Sequence, residues 1–372
     1  MRVVFCIRSN WKSSYGGDIT QMLSTKAELE RHHEVEVVVC DHPEELRTIK
    51  PDIVHVFNMQ TLYESMKYLD VAEELGVPKF LSPIYWDLEH AYYVSLANRF
   101  GINSGGIFFK SCFYFARKLF KISSLIFGKP LIWNKNYIAD EKAFLSRFDC
   151  LLPNSTEEYD IIRERYDIDI PCHVVVNAID NDIFSFNREE IKYDVMCAAR
   201  LEPLKNQLSI AKALALKNFK TNSSANRVLF VGGVNSNRNA LYKEKIEKIC
   251  NGNIDIIDAT ISQKELAKYY SSSRVHVLAS FRESPGLSSL EALACGCNIV
   301  ISDIQYCPVN TYFTDMLDKH VFICDPYSVS SINSAIDKAL SAPLPQFGEG
   351  AFHWYMAASQ TFSAYRKFYN KT

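Results

Sequence analysis

The sequence predicts two α/β domains, each built on a doubly wound parallel sheet. Short apolar runs rich in β-branched residues recur along the whole chain, the pattern of strands buried on both faces. Helix-length stretches alternate with them, as parallel strands require for their crossovers. The 372 residues also exceed what one hydrophobic core serves, because such cores stop growing near ~250–300 residues.

In the first half the strand runs are residues 3–7, 35–40, 53–57, 80–85, 150–153 and 173–177. In the second half they are 193–199, 228–232, 254–257, 275–279, 298–302 and 321–324. Helical patterns lie between them at 21–31, 157–165, 206–216 and 241–250. Polar clusters at Asp180-Asn181-Asp182 and Asn187-Arg188-Glu189-Glu190 interrupt the apolar pattern and mark a boundary. After Pro343 and Pro345 comes an aromatic helix at 352–369, with Trp354, Tyr355, Phe362, Tyr365 and Phe368. The expected division is therefore 1–185, 186–348 and a terminal helical segment 349–372. Two such domains separated by a cleft would take ligands at the carboxyl ends of their strands.

Composition excludes several function classes. Lys and Arg number 41 against 43 Asp and Glu, a net charge of −2, which is too balanced for nucleic acid as the main partner. A hydrophobic share of 48% with 23% charged residues is that of a soluble globular chain. The 11 cysteines form no C-x-x-C pair, which suits reduced thiols in a cytoplasmic protein rather than a disulfide framework or zinc ribbon. The apolar run at the N-terminus is too short for a signal peptide, and no stretch is long enough to span a membrane.

The most informative stretch runs from Ala279 to Ser302. A strand ends near Ala279, a loop carries Glu283, and Pro285-Gly286 opens a helix that closes at Cys295-Gly296. Backbone N–H groups of Gly286, Leu287 and Ser288 at that helix start suit a phosphate. Glu283 precedes the helix and Glu291 lies about one turn inside it, so both carboxylates can accept hydrogen bonds from sugar hydroxyls on one side. Taken singly, each is equally a surface charge. A second constellation, Ala198-Ala199-Arg200-Leu201-Glu202-Pro203-Leu204-Lys205-Asn206, puts two cations just past a strand: Arg200 as a bidentate clamp and Lys205 as a point charge. An isolated Arg-x4-Lys pair also fits a solvated loop. Near the N-terminus, Tyr15-Gly16-Gly17-Asp18 allows close approach of a ligand or of backbone, and reads equally as a simple turn.

Together these residues resemble the retaining GT-B glycosyltransferases of the large group 1 family (family 4 type), over nearly the whole chain. The spacing Glu283…Glu291 within E-S-P-G-L-S-S-L-E-A-L-A-C-G is similar to the family's E-x7-E signature. A-A-R-L-E-P-L-K-N resembles G-R-L-x-x-x-K-G. V-V-N-A-I-D-N-D-I-F, containing Asn177, resembles N-G-V-D-x-x-x-F, and P-D-I-V-H-V-F-N, containing His55, resembles D-x-x-H-x-H. F-H-W-Y-M-A-A-S-Q-T-F-S-A-Y resembles the terminal helix that packs back on the N-terminal domain.

The resemblance implies a nucleotide-diphosphate-sugar donor, no cofactor and no essential divalent metal. It implies catalytic roles for Arg200 and Lys205 on the diphosphate and for Glu283 on the transferred sugar. It implies donor binding by Gly16, Gly17, Asn177, Pro285, Gly286, Leu287, Ser288 and Glu291, the last on the ribose. On the acceptor side it points to His55, Trp86, Asp87 and His90. Trp86 stands where the family carries a histidine, and Phe57 replaces the second histidine of D-x-x-H-x-H. His55 fits a core histidine as well as a catalytic one. Asp167-Ile168-Asp169 reads as a turn rather than a metal site. No carboxylate is placed as a covalent nucleophile, so the implied route is front-side attack with the leaving diphosphate taking the acceptor proton. An inverting GT-B reaction and a catalytically inactive nucleotide-sugar-binding protein are the competing readings.

One stretch is set apart by charge. From His90 to Ala139 there is no acid, while Arg99, Lys110, Arg117, Lys118, Lys121, Lys129 and Lys135 give it a charge of +7. Aromatics are interleaved, a pattern suited to an interfacial helix on an anionic membrane. Packing against the sheet, or a basic wall for a soluble anionic acceptor, fits the same pattern. The expected setting is cytoplasmic, on or near the inner face of a membrane, in surface polysaccharide or glycoconjugate assembly.

Overall fold

The computed structural model describes residues 1–12, 16–87, 90, 94, 97, 111–112, 115, 135–187, 189–215, 227–252, 254–346 and 352–369, with side chains of the fourth stretch from residue 139. They fall into two compact units. One holds described residues within 1–86, 120–178 and 352–372, the other those within 87–119 and 179–351.

The first unit runs β1 (Arg2–Cys6), α1 (Gly17–His32), β2 (Glu36–Cys40), α2 (Leu46–Ile49), β3 (Ile53–Phe57), α3 (Leu62–Leu75), β4 (Lys79–Ser82), α4 (Lys135–Leu145), β5 (Cys150–Leu151) and α5 (Thr156–Tyr166). Its strands pair in the order β2-β1-β3-β4-β5, all parallel. Consecutive strand residues point to opposite faces. Val4, Val54, Val56 and Leu81 accordingly pack with Leu69, Phe144 and Ile162 on one face. Val3, Phe5, Phe57 and Phe80 pack with Ile19, Met22 and Leu29 of α1 on the other. Burying each such side chain contributes about 1.5–3 kcal/mol, which is why the runs are continuous rather than alternating. Asp167, the first acid of the D-x-D, is the left-handed C-cap of α5 at φ 48°.

One expected strand is absent. The run 173–177 lies beside β5 but makes a single bridge, between Leu151 and Cys172. Leu151 N–H donates to Pro171 O, His173 N–H to Leu151 O, and Val175 N–H to Pro153 O. The missing return bond is the one Pro153 would donate, and proline has no N–H. The ladder stops there.

The second unit runs β6 (Tyr193–Ala198), α6 (Gln207–Ala215), β7 (Val228–Val231), α7 (Asn237–Cys250), β8 (Asp255–Ile257), α8 (Gln263–Ser271), β9 (Ser273–Leu278), α9 (Leu287–Ala294), β10 (Asn298–Ser302), α10 (Val309–Phe313), β11 (Val321–Cys324) and α11 (Val329–Ser341). The order is β11-β10-β9-β6-β7-β8, again all parallel. Val195, Cys197, Val275, Val277 and Val300 pack with Ile210 and Leu214 of α6 and Ile332 and Ile336 of α11. Gly232 ends β7 where a Cβ would sit 2.0 Å from Ala199 O, so only glycine lets the two strand ends approach this closely.

The last helix, α12 (Trp354–Tyr369), packs on the first unit. Trp354, Ala357, Ala358, Ala364 and Tyr365 complete the core face formed by α1. All eleven cysteines are free thiols. Among the described residues no helix is long and apolar enough to cross a membrane.

Candidate functional site

In an open parallel sheet, the carboxyl-end crevice lies where the strand order reverses. In the second sheet the chain winds outward from β6 through β7 to β8, then returns to β9 on the other side of β6. The crevice is therefore between β6 and β9. The loops that follow these two strands carry Lys205 and Glu283.

The two side chains meet. Lys205 Nζ lies 2.6 Å from Glu283 Oε1, with the side chains 18% and 10% exposed. Burial to this degree makes either charge costly if its partner is removed. Main-chain bonds hold both loops. Phe281 N–H and Ser280 Oγ donate to Leu204 O at 2.9 and 3.1 Å, and Glu283 N–H donates to Tyr306 O at 2.7 Å. Behind the loop, Phe281, Tyr306, Tyr327 and Val94 form a small core with Leu204 against it.

Gly286, at φ 87°, is the N-cap of α9. A Cβ there would meet Leu278 Cδ2 at 3.1 Å and Glu283 Oε2 at 3.3 Å, so glycine is demanded by both backbone and space. Gly286, Leu287 and Ser288 are partly exposed while Pro285 is buried. Ser289 N–H donates to Gly286 O at 3.0 Å, and the amides before it in a first helical turn have no intrahelical acceptors, so this end is an anion site in form.

Glu291 lies within α9, partly exposed, and its Oε2 accepts from the Tyr270 hydroxyl at 3.3 Å. Burial raises its carboxyl to about 7, and the tyrosine bond opposes that rise. Arg200 stands apart from Lys205 in partner and exposure: it pairs with Glu202 at 3.4 Å, with a side chain 62% exposed. The two cations expected to act together thus differ in partner and in exposure.

The acceptor-side residues divide. His55 is 1% exposed; its Nδ1 is 2.6 Å from Tyr365 Oη and its Nε2 2.9 Å from Ser82 Oγ. Burial lowers it to about 3, so it is a neutral core histidine and not a base open to an acceptor. Trp86 is likewise buried, at 1%. His90 is also buried; its Nδ1 lies 3.0 Å from Tyr327 Oη and its ring stacks edge-on against Tyr306. It packs in the aromatic cluster behind Glu283. Asp87 is partly exposed.

In the first unit, Gly16 is the N-cap of α1 and Gly17 its first residue, while Tyr15 lies outside the described residues. A Cβ on Gly16 would lie 2.8 Å from Asp18 Oδ1, so the glycine makes room for a carboxylate that Arg8 Nε holds at 3.1 Å. Asn177 is buried, and Val176 N–H next to it donates to Gln360 of α12. Arg99, Lys110, Arg117, Lys118, Lys121 and Lys129 lie outside the described residues.

Sequence reasoning missed Asn206, Tyr270, Tyr306 and Tyr327. Only Asn206 left a signal, as the polar residue ending A-A-R-L-E-P-L-K-N where the resembling pattern has glycine.

Residues 178–352 match the family model described as glycosyl transferases group 1. The fold is similar to that of the sucrose-phosphate synthase of Thermosynechococcus elongatus, at 14% identity and a TM-score of 0.70 with all of both chains covered. It is similar to a glycosyltransferase of Rickettsia africae, at 11% identity and a TM-score of 0.61, covering 100% of this chain and 99% of that one. A UDP-forming α,α-trehalose-phosphate synthase of Burkholderia xenovorans, in complex with glucose-6-phosphate, matches at 10% identity and a TM-score of 0.61, over 88% and 75% of the two chains. No curated protein matches the sequence. The two parallel-sheet α/β domains are those of the GT-B architecture.

Proposed function

We propose that this chain, whose residues 178–352 match the model of glycosyl transferases group 1, moves a hexosyl group from a nucleotide-diphosphate sugar to a hydroxyl of a glycan or lipid-linked acceptor, with retention of configuration. The observation that carries this reading is the Lys205–Glu283 pair in the β6/β9 crevice, beside the start of α9. A cation, a carboxylate and a helix N-terminus in one crevice match the three needs of such a donor: diphosphate, sugar hydroxyls and a leaving group that gains charge.

In this mechanism Lys205, Arg200 and the α9 amides bind the diphosphate, and Glu283 accepts hydrogen bonds from the sugar once donor hydroxyls replace part of its contact with Lys205. Glu291 accepts from the ribose. The anomeric C–O bond to the diphosphate breaks, and the acceptor oxygen bonds to the same face of that carbon. Its proton passes to the leaving diphosphate oxygen. No cofactor or essential divalent metal enters, so a chelator leaves turnover unchanged. The setting we infer is polysaccharide or glycoconjugate assembly, peripheral to an anionic membrane through the basic stretch that holds Arg99, Lys110, Arg117, Lys118, Lys121 and Lys129.

The test is release of nucleoside diphosphate from a panel of nucleotide sugars, UDP-sugars first, with the anomeric configuration of the product read by NMR. Release with retention is expected, slowed roughly 10- to 100-fold in Lys205→Ala for a lost charge-assisted contact. An inverted product would overturn the retaining assignment. Binding without release or transfer from any donor would favour a catalytically inactive binding protein.

A further inference from the structure

Asn206 occupies a position that backbone geometry alone would give to glycine. Its φ of 60° and ψ of 25° are left-handed, a region that non-glycine residues other than Asn and Asp seldom enter. Its main chain closes the turn before α6: the amide donates to Pro203 O, and the carbonyl accepts from Ser209 and Ile210. A glycine would do as much. What the asparagine adds is its side-chain amide, which is buried and donates from Nδ2 to Ala279 O at 3.0 Å and to Pro326 O at 2.7 Å. Those carbonyls belong to the loops following β9 and β11.

The consequence is local and specific. Residues 204, 205 and 206 all bind the loop that follows β9: Leu204 through its carbonyl, Lys205 through Glu283, and Asn206 through Ala279. Ser302 Oγ, at the end of β10, donates to Ser280 O in that same loop. The Lys205 side chain is long and rotamer-rich, so a fixed contact with Glu283 needs both main chains fixed.

We propose that Asn206 is a positioning residue, whose amide ties the β6, β9 and β11 loops together so that Lys205 and Glu283 hold one geometry for the donor. The proposal rests on the reading of that pair as the donor site, but its test does not require a donor. Lysine acylation by acetic anhydride, followed residue by residue in peptides, reports how tightly Lys205 is held. Glu283→Gln should raise the Lys205 rate by removing the ionic partner. Asn206→Gly, which keeps the left-handed backbone, should raise it about fivefold or more, the factor set by losing about one ordinary hydrogen bond from a local equilibrium. Asn206→Asp, of the same shape but with no donor for the two carbonyls, should behave like Asn206→Gly. Lys26, in the first unit, serves as the internal reference and should label at one rate in all variants.

A Lys205 rate in Asn206→Gly or Asn206→Asp equal to wild type overturns the proposal. So does a Glu283→Gln rate equal to wild type, since Lys205 would then not be held by that carboxylate. A parallel titration with UDP-sugars separates the two levels. Failure of the wild type to bind any nucleotide sugar would defeat the donor-site reading while leaving the labelling result to stand or fall alone.

Discussion

At the scale of single residues, Glu291 offers the sharpest prediction. Its carboxyl is raised to about 7 by burial, whereas an unfolded glutamate titrates near its ordinary value of 4.5. The unfolded chain therefore releases this proton first, and Glu291 makes the fold less stable as pH rises from about 4.5 to about 7. Ribose hydroxyls donating to the carboxylate favour its ionised form. Donor binding near pH 6.5 should thus release a proton, read by calorimetry in buffers of different ionisation heat. The release should vanish above about pH 8.5 and in Glu291→Gln. Unchanged release in that variant would remove Glu291 from the site. Residue types and spacing were enough to single out Lys205 and Glu283, which the structure brings together, and Gly286, which it places at the N-cap of α9. They were not enough for His55, Trp86 and His90, whose burial depends on which distant aromatics close over them: Tyr365 on His55, and Tyr306 and Tyr327 on His90.

At the scale of elements, the C-terminal helix is tied to the first unit by more than apolar area. Tyr365 Oη meets His55 Nδ1, and His33 at the end of α1 stacks on Phe362 at 4.2 Å. Tyr365→Phe leaves a buried ring nitrogen without its partner and should cost about 1–3 kcal/mol in denaturant unfolding. A loss below a few tenths would mean the hydroxyl is dispensable. The basic stretch makes a second element-scale prediction: sedimentation with anionic liposomes at low salt, relieved by moderate salt, and none with neutral ones. Equal, negligible pelleting with both would rule out the interfacial reading. Strands were legible as apolar runs, since most are buried on both faces. The exception at 173–177 is instructive, because apolar character there was genuine and the ladder failed for want of one N–H, at Pro153 on the neighbouring strand. An apolar run records burial; pairing depends on the neighbour as well.

At the scale of the whole molecule, alternation of strands and helices announced two parallel sheets, but not the order of strands within them. That order decides where the crevices fall. It puts the loops after β6 and β9 side by side, although Lys205 and Glu283 are 78 residues apart in sequence. The central claim is that this crevice holds a nucleotide-diphosphate sugar, and the most direct measurement is the thermal midpoint of the purified chain across a panel of nucleotide sugars. A donor at about 100 times its dissociation constant adds about 2.7 kcal/mol to stability. For domains of this size that moves the midpoint by several degrees, with roughly 2–4 °C per kcal/mol. At least one nucleotide sugar should produce such a shift in wild type and a smaller one in Glu291→Ala at the same concentration. No shift with any nucleotide or nucleotide sugar would contradict the account.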